Sequence, residues 1–86
     1  MEEEIGRIIH YFSKINVAVL EMIEGKLKTG NTIHIKGHTT ELYQKVSSMQ
    51  VDYKPVDVAE KGMQVGLKVK SHVRPNDRVY KISDDI

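Results

Sequence analysis

Val17-Ala-Val-Leu-Glu-Met-Ile-Glu-Gly-Lys-Leu-Lys-Thr-Gly-Asn-Thr-Ile-His-Ile-Lys-Gly37 reads as strand, tight link, strand. Val17 to Ile23 is rich in β-branched and apolar residues with few polar interruptions, the pattern of a central strand covered on both faces. Ile33 and Ile35 alternate with Thr32, His34 and Lys36, the period of a half-buried strand. Gly25 and Gly30 bracket the connection between them, where the chain needs φ > 0. Gly37 closes the second strand at a turn.

The same period continues outward. Met63, Val65, Leu67 and Val69 share one face, with Gln64, Gly66, Lys68 and Lys70 on the other. Ile5–Phe12 and Val79–Ile82 are further strands. Leu42 and Val46 share one parity, whereas Met49, Val51 and Tyr53 share the other. A strand changes face only through an extra residue, so a bulge or bend is expected near Ser47–Ser48. Pro55 cannot donate to a ladder and should end the Leu42–Tyr53 strand. Val56–Lys61 has room for a helical turn, and no longer helix is indicated. Turn signals at Glu24-Gly25, Gly30-Asn31, Gly37-His38, Lys61-Gly62 and Pro75-Asn76-Asp77 recur roughly every ten residues, the spacing of an all-β domain. Gly66, inside a strand, implies a bulge or the close approach of another segment. A closed sheet leaves no exposed edges, so the expected architecture is a small closed antiparallel β-barrel of about six strands.

An 86-residue chain is expected to form one domain spanning 1–86, with acidic ends at 1–4 and 83–86 that fray. It contains no cysteine, which excludes disulfides, thiolate metal sites and cysteine nucleophiles. No segment approaches the ~18 apolar residues of a membrane span, and Met-Glu-Glu-Glu is the opposite of a basic leader. A cytoplasmic protein with no membrane partner is the expectation. The net charge of +1 hides a basic body, because Glu2, Glu3, Glu4, Asp84 and Asp85 lie at the ends. Such a body suits nucleic acid, but lysines that keep sheet edges and outer faces soluble are the favoured explanation.

One pattern extends over nearly the whole chain: Ile5-Gly6-Arg7-Ile8, Gly25-x-Leu27-Lys28-x-Gly30-Asn31-x-Ile33-x-Ile35-x-Gly37, Val46-x-x-Met49, Lys54-Pro55-Val56-x-x-Ala59, Gly62-x-x-Val65-Gly66-Leu67 and Asn76-Asp77-x-Val79. It resembles the β-barrel second domain of elongation factor Tu and related translation GTPases, and the small free-standing translation elongation factor-like proteins. It is also similar to the C-terminal barrel of the U32 peptidases. The first resemblance implies a module that touches RNA or a ribosomal surface. There is no Gly-x-x-x-x-Gly-Lys-Ser/Thr loop, so the chain carries no GTPase engine and no nucleotide cofactor is expected. Of the Glu-Met-x-Arg-Lys run in the elongation-factor pocket, the matching stretch Gln50–Lys54 keeps only Lys54.

The chemistry-bearing residues support no catalytic site. Ser47, Ser48 and Ser71 lie in no nucleophile elbow, and Asp52 and Asp57 flank a turn at Lys54-Pro55. His34 and His38, four apart on a strand, would stand ~13 Å from one another, too far to share an ion. No catalytic residue, metal or cofactor is therefore expected. The residues that suit RNA or a protein partner are Lys36, Tyr43, Lys45, Tyr53, Lys54, Lys68 and Lys70, which combine aromatic faces with positive charge. Gly25, Gly30, Gly37, Gly62 and Gly66 are assigned to turns and backbone geometry. The alternative function is a protein-interaction adaptor or an accessory barrel related to the U32 C-terminal domain.

Overall fold

The computed structural model describes residues 1–83. Ten strands follow one another with no helix among them: β1 (Glu2–Phe12), β2 (Val17–Met22), β3 (Lys26–Lys28), β4 (Thr32–Lys36), β5 (Glu41–Lys45), β6 (Met49–Val51), β7 (Lys54–Val56), β8 (Val58–Glu60), β9 (Gln64–Lys68) and β10 (Arg78–Ile82). Eight form a sheet in the order β5-β4-β10-β1-β2-β9-β6-β7, and β3 pairs with β8 in a separate ribbon. Every pairing is antiparallel. The all-β antiparallel expectation thus holds at this level.

The sheet cannot be flat. β5 and β6 stand six places apart in its order, about 29 Å at ~4.8 Å per strand. Only Val46, Ser47 and Ser48 link them, a reach of ~14 Å from Lys45 to Met49. The sheet must therefore roll until its β5 side meets β9 and β6. At that seam no backbone ladder joins β5 to β9 among the described residues. Instead the Gln44 side chain donates from Nε2 to the Lys68 carbonyl at 2.8 Å and accepts the Lys70 N–H at Oε1 at 2.9 Å. A barrel of about six strands closed by its ladder is not what the pairings show.

The period-two residues of β2, β4, β9 and β10 form the core inside the roll. They are joined by Ile5 and Ile8 of β1, whose spacing of three follows register shifts in its pairings. Ile5, Ile8, Ala18, Leu20, Met22, Ile33, Ile35, Val65, Leu67 and Val79 are all buried, and β3 and β8 add Leu27 and Ala59 as a cover. β2 is not covered on both faces as its composition suggested. Ala18, Leu20 and Met22 face the core, while Val17 and Val19 face outward and remain half-buried. Val56–Lys61 is not a helical turn, because Val58–Glu60 pairs with β3. Pro55 does not end a strand either. It lies within β7, last in the sheet order, where a missing N–H costs least.

Of the acidic residues at the start of the chain, Glu2, Glu3 and Glu4 pair with Ile82, Lys81 and Tyr80. Of the other end, Asp84, Asp85 and Ile86 lie outside the described residues. Gly25, Gly30 and Gly62 have φ of 68°, 93° and 92°. Gly37 has another role, since a Cβ there would collide with the buried carboxylate of Asp77, which accepts the Arg74 N–H at 2.9 Å.

Candidate functional site

A two-residue hairpin sets one wall of the principal groove. Val51 pairs with Lys54, so Asp52 and Tyr53 alone make the turn. Their φ values, 52° and 67°, are both positive, as a type I′ turn demands. A bulky tyrosine in that region is strained, and strain of this kind persists where the surroundings or a function require it. Tyr53 is also 92% exposed.

The opposite wall comes from the β1–β2 turn, which leaves Phe12 46% and Ile15 54% exposed. The outward residues of β2, β9 and β6 form the floor: Val19 lies opposite Gly66, and Gly66 opposite Gln50. Gly66 is the low point. A Cβ built there would stand 3.1 Å from the Gln50 side chain, so any larger residue would fill the groove. The groove has a volume of about 480 Å³. It continues into a second hollow of about 280 Å³ that shares Val17, Gln50 and Gly66 and ends at Lys68 and Pro55.

The sequence-predicted binding residues separate into three places. Lys36 lies opposite Glu41 and Arg78 near Tyr43, on the outer face of β4 and β5. Lys45, Lys68 and Lys70 meet around Gln44 at the seam, lining a hollow of about 510 Å³. Tyr53 and Lys54 belong to the hairpin, where only Tyr53 enters the groove. Of the residues that line the groove, Phe12, Ile15, Val19 and Gln50 were not among the sequence candidates. An apolar pair flanking the polar Ser13-Lys14 turn was the available signal.

A polar assembly occupies the outer face of β4. His34, 5% exposed, has Nδ1 2.7 Å from Glu2 and Nε2 3.2 Å from Glu41. Carboxylates only accept, so each contact needs a proton on the ring nitrogen it meets. Tyr43 stacks on the imidazole at 4.0 Å with planes 6° apart. Partial desolvation, and then the carboxylates of Glu2 and Glu41, hold the Tyr43 phenol above the usual tyrosine range. The two carboxylates sit on opposite ring nitrogens, so they cannot share an ion with the histidine. Among the described residues no His, Asp or Glu group has metal-site geometry.

With this geometry in place, comparison with known proteins is decisive for the fold. The chain superposes on the C-terminal domain of a U32 peptidase of Geobacillus thermoleovorans with a TM-score of 0.86 and 18% identity, covering 94% of this chain and 93% of that one. The fold is the one seen in a U32 peptidase C-terminal domain. The selenomethionine variant of that domain matches with a TM-score of 0.83 and 19% identity over 90% of this chain and 96% of that one. In sequence, the chain is 43% identical over 84 residues to an uncharacterized protease of Methanocaldococcus jannaschii, covering 96% of this chain and 20% of that protein. It is 38% identical over 78 residues to a collagenase of Porphyromonas gingivalis, covering 90% of this chain and 22% of that protein. The chain thus spans about a fifth of the length of the curated relatives it matches. No family model matches.

These findings overturn the elongation-factor resemblance, and the descriptions as translation elongation factor-like and RNA-binding fall with it. The physical reason is that the glycine-anchored motif encodes turns and close approaches of a small rolled sheet. Two unrelated roles can use those features, so the motif carries no ligand information. The second resemblance, to the U32 C-terminal barrel, is the one supported.

Proposed function

We propose that this chain is a non-catalytic docking module that holds polypeptide for a peptidase body of the kind its longer relatives carry in name. The observation that carries the reading is the groove between Phe12, Ile15 and Tyr53, open on a fold similar to a peptidase's C-terminal domain. An exposed apolar groove with a strained aromatic wall suits an extended chain bearing bulky side chains. The strands of its floor already pair on both sides, so such a ligand must dock through side chains rather than as an added strand. The roll acts as one closed unit in this reading, with Gln44 replacing the missing ladder at the seam. The chemistry of bond cleavage would reside outside this chain, in the part of the relatives that it does not match.

The test is a titration of the ¹⁵N-labelled protein with gelatin fragments, the relatives' collagenase name supplying the choice of polypeptide. Amide shifts gathered at Phe12, Ile15, Tyr53 and Gly66 are expected, together with no cleavage of the fragments. Shifts scattered over the surface, or cleavage by this chain alone, would sink the reading.

A further inference from the structure

The groove is electrically polar along its length. Asp52 stands at the Tyr53 end. Following β9 from Gln64 through Gly66, the floor reaches Lys68 at the other end, and Lys70 lies just beyond. Val17 and Lys68 are opposite each other in the β2–β9 ladder, so the ammonium rises on the same face as the groove's apolar floor. Glu21, on that face beside Gln64, is engaged by Arg7 at 3.3 Å. Among the described residues the remaining ion pairs join His34 to Glu2 and Glu41, and Arg78 to Glu4, so none takes Asp52, Lys68 or Lys70. Lys54, although next to the turn, pairs with the inward-leaning Val51 and does not line the groove.

From this polarity we infer that the groove selects peptides carrying a bulky apolar residue two positions from an acidic one. The inference rests on the docking reading and names the ligand class. An apolar side chain is accommodated over Gly66, between Phe12 and Tyr53. From Gly66 to Lys68 the floor advances two strand residues, about 7 Å at ~3.3 Å each. An extended peptide lying along β9 advances by the same amount every two residues, and side chains two apart point to the same side. The residue two positions beyond the anchor therefore hangs over Lys68, where a carboxylate is favoured. Asp52 disfavours a carboxylate at the opposite end, which fixes the peptide's direction along the groove. Gln50 and Gln64 stand along the path, with amide groups suited to the peptide's carbonyls.

The experiment compares two probes, acetyl-Gly-Leu-Gly-Glu-Gly-amide and the same peptide with Gln in place of Glu, by ¹⁵N shift titration at low salt. The acidic peptide should bind about two- to fivefold more tightly, the range for one exposed ion pair. The difference should shrink as salt rises past a Debye length of ~8 Å at physiological ionic strength. Lys68→Glu should reverse the preference in favour of a Lys-containing peptide, and Phe12→Ala should weaken both probes alike. Phe12 and Lys68 are surface residues, and retained amide dispersion in each variant checks that the fold survives. If both probes shift the groove amides with equal affinity, the charge selection is overturned while docking stands. If neither shifts them at millimolar concentration, both readings fall. If heparin displaces the acidic probe and leaves the Gln probe bound, Lys68 serves any anion, and the peptide-specific reading is likewise overturned.

Discussion

Glycine at position 6 is dictated by a neighbour rather than by a turn. A Cβ there would run into the Glu21 carbonyl oxygen and crowd Leu20 Cδ1 at 2.9 Å. The carbonyl belongs to the β1–β2 pairing, where Gly6 lies opposite Met22, so it cannot retreat without moving the ladder. Gly6→Ala is expected to destabilise the protein by about 2–3 kcal/mol, the cost of forced overpacking. Urea unfolding measures this, and an unchanged midpoint would refute the packing account. Sequence reading placed Gly6 in a pattern but gave it no role, because nothing local marks the obstacle, which lies on a strand 15 residues away. Gly66 was legible because a glycine within an alternating strand implies close approach.

At the level of strands, the alternation in β9 was plain because one face is buried and the other open, whereas in β4 the alternation hid that His34, on the outer face, is buried too. The failure came at Leu42–Tyr53. The change of parity there was legible, but not that it marks the passage from one side of the roll to the other. Nor was the hairpin at Asp52–Tyr53, which lacks the glycine that normally advertises a left-handed turn. The seam depends on one side chain. Gln44→Ala removes both hydrogen bonds that tie β5 to the end of β9, and is expected to cost about 1–2 kcal/mol. Hydrogen exchange should then show faster opening at Lys70 than at the core strands β1 and β2. Equal protection across the sheet would show that the seam is held by something else.

For the molecule as a whole, global stability should carry the signature of Tyr43. Its folded phenol holds its proton more tightly than the unfolded one. The associated stability is present below pH ~10 and is lost as pH rises through the tyrosine range, because the unfolded chain ionises first. Tyr43→Phe should flatten this alkaline decline in denaturant midpoints measured from pH 8 to 11; an identical decline would assign it elsewhere. The global fold was legible as all-β because its core follows simple alternation. The groove was not legible, because its walls come from two turns far apart in sequence, Phe12–Ile15 and Asp52–Tyr53, that only the rolled sheet brings together. The hairpin carries one last implication. Rewriting positions 52 and 53 as asparagine and glycine would relax the backbone and yield a hardier protein, yet one stripped of its most prominent ring. If the groove docks polypeptide as proposed, resilience and grip are set against each other at this single reversal of the chain, and engineering for heat tolerance would erode recognition first.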